Sequence, residues 1–300
     1  MTVREPDDKA AGISYMILGI ASLSFMDALG KRVAANYSVF QMLAIRSTVA
    51  IGLLIVLLAF LGKLRTLRTR QPGGHALRSG CGLTAFVCFY AALRHMTLAD
   101  AVAIAFGSPF LVTALGRFLL KEPVAPRRWM AIVLGFLGML VIVRPGRSGF
   151  HPAALLVVVS GIAYALMMVL ARWMTRPARP PESTHAFVFY MLAGQAVVAW
   201  LVAAQGWRTP DPRALMEMGA MAVFGILGNY GLAQAFRVAP VATVAPFEYT
   251  GLIWAVLLGS VLFGDVPAPT FWVGAAIIVW AGLQAVRSST PDPVARYDQP

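Results

Sequence analysis

Long apolar runs alternate along the chain with short segments rich in charged residues, proline or glycine. An α-helix needs about 20 apolar residues to cross the hydrocarbon core of a bilayer, and the runs have about this length. They are continuous rather than alternately apolar and polar, so they do not fit the strands of a transmembrane β-barrel. The pattern predicts an all-α integral membrane protein with ten transmembrane helices, over 12–30, 36–60, 76–94, 98–120, 128–143, 152–172, 184–205, 214–236, 239–262 and 269–286.

Composition supports this class. Hydrophobic residues make up 59% of the 300 residues and charged residues 13%, with a mean hydropathy of +0.72. A soluble domain carries roughly a quarter of its residues as charged ones. The net charge of +12 would suggest a nucleic-acid partner in a soluble protein, but here Lys and Arg gather between the apolar runs. We therefore expect the lipid bilayer, and no nucleic acid, as the surroundings of this chain.

The basic residues also orient the chain. With the N-terminus inside, most of the 25 Lys and Arg residues fall in segments that face the cytoplasm, above all in "GKLRTLRTRQPGGHALR" (62–78). Cytoplasmic loops carry such an excess of positive charge. Both termini are therefore predicted to be cytoplasmic.

The two halves of the sequence resemble each other. "FYAALRHMTLADAVAIAF" (89–106) aligns with "NYGLAQAFRVAPVATVAP" (229–246), and "KEPVAPRRWMAIVLGFLGMLVIVR" (121–144) aligns with "GDVPAPTFWVGAAIIVWAGLQAVR" (264–287). One repeat then has five helices, and an odd number of crossings inverts the second repeat relative to the first. The predicted units are an N-terminal tail (1–11), a first repeat (12–146), a second repeat (147–287) and a C-terminal tail (288–300).

Inverted repeats are typical of secondary transporters, which bind substrate near the bilayer midplane between the two halves. A simple duplication within a membrane scaffold is the alternative. An inverted-repeat carrier is mechanically reversible, so import and export both fit. Glycines such as those of "GFLG" (135–138) fit helix packing within one chain or between two chains, so no oligomeric state is predicted.

Several short motifs resemble a known family. They are "LAIR" (43–46), the Ala/Pro-rich entries to the fourth and ninth spans, "KEP" at Glu122 and "GDVP" at Asp265, together with the two terminal spans of the repeats. In these motifs the chain is similar to the drug/metabolite transporter superfamily, in its ten-helix branch with two EamA-type domains. The resemblance implies transport of a small molecule across the bacterial inner membrane. Within the family the pattern looks most similar to amino-acid and metabolite exporters, including aromatic amino-acid exporters.

Two charged residues lie deep in predicted spans. Glu248 stands about 12 Å into the ninth span and Arg46 about ten residues into the second. Ionisable residues at such depth usually face the bundle interior or a water-filled cavity. Glu248 would hold a substrate ammonium group, carry a coupling proton or pair with a cation. Arg46 would bind a substrate carboxylate or form an ion pair with Glu248 that fixes helix packing. Asp27 and Lys31, four residues apart, are expected to pair with each other.

Prolines mark the same two spans. Pro109 in "FGSP" and Pro246 in "VAPF" each remove a helical hydrogen bond within the fourth and ninth spans. Interruptions at corresponding places in two halves point to a transporter's binding site. We expect them to allow bending during gating, an ordinary packing kink being the alternative.

Polar and aromatic residues within the spans complete the candidate pathway. Aromatic faces suit an aromatic or lipophilic ligand, and hydroxyl groups would orient its polar end. Tyrosines also populate membrane interfaces, so each has a second interpretation. The candidates are Tyr90, Tyr164, Tyr230, Tyr249, Asn229 and Ser108.

The sequence carries no metalloprotease, P-loop or nucleophile-elbow motif, and no His/Cys cluster of the kind that binds metal. We therefore expect no enzyme activity, no cofactor and no metal, and transport driven by a gradient or by exchange. The first hypothesis is export of small metabolites, above all amino acids with an aromatic or apolar side chain. A drug or organic-cation antiporter is the second hypothesis, and a membrane enzyme or scaffold is the third.

Overall fold

The computed structural model describes residues 8–121, 124, 126–144 and 151–287, and within these ranges all regular structure is helical. Glu122 and both ends of the chain (1–7 and 288–300) lie outside the described residues. The α-helices are α1 (Lys9–Asn36), α2 (Val39–Phe60), α3 (Pro72–Leu93), α4 (Leu98–Ala105), α5 (Ser108–Leu120), α6 (Pro126–Val143), α7 (Ala153–Met174), α8 (Thr184–Ala203), α9 (Pro212–Val238), α10 (Val241–Val244), α11 (Thr250–Phe263) and α12 (Pro269–Arg287).

The predicted ten-helix architecture is confirmed. Among the described residues, eight helical segments are long and apolar enough to cross a membrane, and two shorter apolar helices, Trp129–Val143 and Pro269–Gln284, coincide with the other two predicted spans. The boundaries differ from the prediction by a few residues. The largest difference is in α1, which begins at Lys9 and continues to Asn36, beyond the predicted end at residue 30.

Polar side chains fix where several helices begin. The first N–H groups of a helix have no partner within it, so a side-chain oxygen just before the helix satisfies one of them. Asp211 is followed by Pro212, whose fixed φ suits the first helical position. The capping bonds run from Ala11 N–H to Asp8, Asp100 N–H to Thr97, Ala186 N–H to Ser183 and Ala214 N–H to Asp211, at 2.8–3.1 Å.

The fourth and ninth crossings are interrupted helices. The fourth crossing breaks between α4 and α5, just before Pro109. The ninth crossing passes from α10 through a 3₁₀ turn (Ala245–Tyr249) that contains Pro246 and continues as α11. Both prolines thus coincide with real breaks, because a proline nitrogen cannot donate to the carbonyl four residues earlier. The role of the breaks in gating stays a prediction.

Helix contacts repeat when the two halves are exchanged. The repeat alignment equates α1 with α7, α3 with α9, and the α4–α5 crossing with the α10–α11 crossing. α1 packs on α9, and the corresponding α7 packs on α3. The α1–α11 contact likewise corresponds to the α7–α5 contact. The α2–α8 and α6–α12 contacts join equivalent helices, and the α4–α11 contact joins the two equivalent interrupted crossings. This pattern agrees with two inverted five-helix repeats.

The loop before α3 and the loop before α8 are joined by hydrogen bonds at the end of the protein predicted to be cytoplasmic. The Glu182 carboxylate accepts hydrogen bonds from Thr69 Oγ1 and Arg70 N–H, both at 2.8 Å, and lies 3.3 Å from His75 Nε2. Burial alone would raise the pKa of Glu182, but these hydrogen bonds together hold that pKa below its ordinary value. Glu182 therefore stays ionised and holds the loop before α8 against the loop before α3.

Glycines allow α1 and α9 to approach closely. A Cβ atom added to Gly231 would lie 2.8 Å from Gly19 Cα and 2.9 Å from Tyr15 O, and one added to Gly19 would lie 3.0 Å from Gly228 O. Lipid tails are as apolar as the side chains, so helix association in a bilayer depends on this kind of close packing. The α1–α9 contact therefore requires glycine at these positions.

We predict that Gly231→Ala destabilises the protein by about 1–3 kcal/mol, because the added methyl group meets backbone atoms that cannot move away cheaply. Gly219→Ala on the same helix is the matched control, since no atom lies within 4 Å of its added Cβ. Thermal unfolding in detergent measures the difference. Equal melting temperatures for the two variants would contradict the close-packing account.

Candidate functional site

A central cavity of about 430 Å³ lies between the two halves. Small-molecule sites in proteins have volumes of about 300–1,000 Å³. The walls come from α1, α2, α3, the α4–α5 break, α7, α8 and the start of α11. The lining is mostly apolar, with a few polar groups at defined places, which is the composition of a specific binding site.

Arg46 on α2 supplies the cation of the cavity. Its Cζ lies 4.7 Å from the centroid of the Phe86 ring, and one of its terminal nitrogens lies 3.5 Å from the Met26 sulfur. Arg46 Nε is buried and has no hydrogen-bond partner. No carboxylate in the described part of the chain forms an ion pair with this guanidinium. Asp27 is close enough to attract the guanidinium but forms no ion pair with it. A buried cation without an ion-pair partner is costly, so Arg46 is a candidate to bind an anionic group that enters the cavity.

Asp27 and Tyr90 form the polar wall beside Arg46. Tyr90 is only 1% exposed, and its hydroxyl group donates to Asp27 Oδ1 at 2.8 Å. Gly30 makes room for the ring, because a Cβ atom there would overlap it. Asp27 was not among the predicted site residues, although it is an acid within an apolar span, as Glu248 is.

The expected pair between Asp27 and Lys31 is wrong. Lys31 Nζ instead contacts Asp265 Oδ2 at 2.5 Å. The correct partner comes from the loop between α11 and α12, 234 residues away in sequence, which local spacing could not reveal. Asp27 is left to line the cavity with Tyr90 as its partner.

Aromatic and sulfur-containing side chains fill the middle of the wall. On α3 the positions Gly82, Phe86, Phe89 and Tyr90 follow helical spacing and so face the cavity together. Phe106 contributes another ring from the α4–α5 break, and Met26, Met167 and Met191 add flexible apolar surface. This arrangement suits the faces of a flat aromatic ligand.

The structure brings five of the predicted pathway and gating residues to the cavity and leaves the others elsewhere. Tyr249 stands behind the wall, where its ring stacks on Phe106 with centroids 5.3 Å apart. Asn229 donates to Gly225 O of its own helix at 2.7 Å. Tyr230 is 57% exposed on the outer face of α9, although it aligns with the buried Tyr90. The residues that line the cavity are Arg46, Tyr90, Ser108, Pro109 and Tyr164.

Glu248 lies in the 3₁₀ turn that contains Pro246, outside the lining of the cavity. Its carboxylate forms neither a hydrogen bond nor an ion pair with any described residue. The alternative in which Glu248 and Arg46 neutralise each other is therefore not realised in this structure. Glu248 remains a half-buried acid at a helix break.

The Lys31–Asp265 contact, called here the outer ion pair, lies next to the cavity on the side predicted to be extracellular. The two side chains are 13% and 18% exposed, and Asp265 also accepts from Leu98 N–H at 3.3 Å. Lys31 is one helical turn beyond Asp27, and Leu98 is one turn before Val102; both Asp27 and Val102 line the cavity. The outer ion pair thus joins α1 and α4 of the first half to a loop of the second half.

The family model described as the EamA-like transporter family matches residues 10–144 and 151–283, which is nearly the whole chain. The chain belongs to the EamA-like transporter family, and it is a multi-pass membrane transporter rather than an enzyme.

Curated relatives carry more specific names. The chain is 27% identical over 280 residues to the S-adenosylmethionine uptake transporter of Rickettsia conorii, covering 92% of both chains. It is 30% identical over 238 residues to the riboflavin transporter of Vibrio cholerae, covering 78% of both. These names confirm the expected family, but neither is an aromatic amino-acid exporter. A solved crystal structure with 20% identity superposes with a TM-score of 0.63 over 92% of this chain and 98% of the other, which supports the fold alone.

Asp265→Asn is predicted to loosen the contact between the halves beside the cavity. The substitution leaves Lys31 without its carboxylate, and breaking a mostly buried ion pair is destabilising. Amide hydrogen exchange of residues 98–102 should become about tenfold faster or more. Arg213→Gln is the control, because it breaks an ion pair to Glu217 in which Arg213 is 73% exposed, and it should leave that segment unchanged. Unchanged exchange in Asp265→Asn would contradict the assigned contact.

Proposed function

We propose that this chain is a secondary transporter for a small zwitterionic metabolite that carries an aromatic ring. The observation that carries the proposal is the Arg46 guanidinium, which has no ion-pair partner among the described residues and faces a cavity lined by aromatic rings. Amino acids with an aromatic side chain meet this description, as do metabolites that join an amino-acid group to a heteroaromatic ring. The relatives named for S-adenosylmethionine uptake support a metabolite that joins an amino-acid group to a heteroaromatic ring. The relatives named for riboflavin support a substrate with a flat ring.

Arg46 binds the carboxylate of the substrate in this account. A guanidinium presents N–H donors in a planar fork that matches the two oxygens of a carboxylate. The side chain already lies against Phe86, so its position is defined before the ligand arrives. Binding then removes the cost of an unpaired buried cation, which makes Arg46 the main electrostatic anchor.

Asp27 binds the ammonium group. The hydrogen bond from Tyr90 occupies Oδ1 and orients the carboxylate, which leaves Oδ2 for the ligand. Phe86, Phe89 and Phe106 contact the ring of the substrate. A zwitterion with a ring thus meets a complementary group at each of its three parts.

Transport proceeds by alternating access, with the two inverted halves moving about the central cavity. The breaks at Pro109 and Pro246 bend the fourth and ninth crossings, and the outer ion pair separates whenever the cavity opens on its side. Energy comes from a gradient or from exchange. We place the chain in a bacterial inner membrane with both termini in the cytoplasm, and the same mechanism operates for import and for export.

A second candidate is an antiporter for organic cations. Asp27 in the cavity and the unpaired Glu248 nearby favour a positively charged ligand. Arg46 opposes it, because a cation would then lie beside an unpaired guanidinium. The two candidates therefore differ in what Arg46 does to binding.

The test is counterflow in proteoliposomes with radiolabelled phenylalanine, S-adenosylmethionine, riboflavin and a quaternary ammonium drug. Wild type should exchange at least one zwitterion, and Arg46→Met should lower that exchange by about tenfold or more, since a charge-assisted hydrogen bond contributes about 1.5–3 kcal/mol. Arg213→Met is the control for loss of an exposed arginine. Exchange of the drug alone, or zwitterion exchange that survives Arg46→Met, would contradict the proposal.

Replacing each acid by its amide distinguishes the role of Asp27 from that of Glu248. Asp27→Asn should reduce zwitterion counterflow by about tenfold or more, because it removes the charge that faces the ammonium group. Glu248→Gln should change counterflow by less than about threefold, because Glu248 does not line the cavity. The opposite order, with Glu248→Gln the more damaging variant, would move the site to the 3₁₀ turn and favour the organic-cation antiporter.

A further inference from the structure

Gln195 on α8 is a buried amide that lines the cavity and that the mechanism above does not use. It is 3% exposed, and its Oε1 is buried without a hydrogen-bond partner. Its amide forms no hydrogen bond with another described residue, whereas Gln41, also buried, is bound at both ends by the backbone of Arg208. An unpaired buried amide is costly, and Gln195 belongs to the lining of the cavity, so a ligand there can complete its hydrogen bonds when the amide turns toward it.

The position of Gln195 places its amide at the other end of the cavity from Asp27, with Arg46 at a level between them. A Cβ atom added to Gly82 would lie 3.2 Å from Gln195 Nε2, so the amide stands against the level of Gly82 on α3. Tyr90, the partner of Asp27, lies eight residues further along the same helix, which is about 12 Å along its axis. Phe86, which packs against Arg46, lies between these two levels.

We infer that Gln195 is a specificity-determining residue whose amide pairs with an adjacent donor and acceptor on the edge of a heteroaromatic ring, as an aminopurine presents them. The inference rests on the proposed function and names its substrate class: a zwitterion whose ring is an aminopurine rather than a plain phenyl group. A glutamine amide offers one carbonyl acceptor and one NH₂ donor side by side. That pair matches the N6 and N7 edge of adenine, which glutamine and asparagine bind through two hydrogen bonds.

A plain phenyl ring is rejected because it cannot form these two hydrogen bonds. A phenyl group at this end of the cavity leaves the Gln195 amide unpaired and dehydrated. Sites built to hydrogen-bond a ligand discriminate strongly against an analogue that lacks the bonding group. Apolar contact with Phe86 and Phe106 is available to both kinds of ring, so discrimination depends on Gln195.

The experiment measures how strongly unlabelled S-adenosylmethionine and unlabelled phenylalanine each inhibit counterflow of a radiolabelled substrate. It is carried out for wild type and for Gln195→Met. Methionine keeps the length of the side chain and removes its hydrogen bonds. In wild type we expect S-adenosylmethionine to compete at least about tenfold better than phenylalanine. In Gln195→Met that advantage should fall about tenfold or more, with competition by phenylalanine unchanged or improved. An unchanged ratio of the two half-inhibitory concentrations would overturn the inference.

A pair of ligands tests the inference on wild type alone, in case Gln195→Met does not fold. Purine riboside lacks only the 6-amino group of adenosine, so adenosine should compete about tenfold better or more. Equal competition would overturn the role of Gln195 while leaving a transporter of aromatic metabolites intact. If wild type shows counterflow of neither S-adenosylmethionine nor phenylalanine, that result would instead contradict the proposed function itself.

Discussion

The bilayer core contains no water, so each backbone N–H and C=O group in it must find a partner within the protein. Unbroken helices meet this requirement by themselves, and most crossings of the chain are unbroken. Among the described residues, the exceptions are the α4–α5 break and the 3₁₀ turn before α11. Phe106 at the first break and Gly251, two residues after the turn, both line the cavity. Both breaks therefore lie in or next to the wall of the cavity, where protein rather than lipid can satisfy the freed backbone groups.

The same requirement governs the polar side chains. Lys31 and Asp265 are paired with each other, and Tyr90 is paired with Asp27. Nine buried side-chain atoms among the described residues have no hydrogen-bond partner, and only Arg46 Nε and Gln195 Oε1 belong to residues that line the central cavity. Leaving a buried polar group without a partner is costly. These two residues therefore fit the proposed ligand, which has a charged end and a polar ring edge.

The sequence predicted the fold well, because twenty-residue apolar runs and the self-similar halves record the bilayer and the repeat directly. Arg46 was found for the same reason, as a charge within an apolar run. The pairing of Lys31 was missed, because its partner Asp265 is close only after the two halves pack. Tyr230 shows the limit of repeat symmetry: it aligns with Tyr90, yet Tyr90 packs against Gly30 in the core and Tyr230 faces outward. Gln195 belongs to no motif, and only its unfilled amide in the folded cavity distinguishes it.

The central claim is that Arg46 and the aromatic rings beside it bind the substrate. An experimental density map of the protein saturated with S-adenosylmethionine tests this most directly. The account predicts a ligand in the central cavity, with its carboxylate on Arg46 and its ring between Phe86 and Phe106. Density for the ligand at the 3₁₀ turn around Glu248, with Arg46 still free, would contradict it.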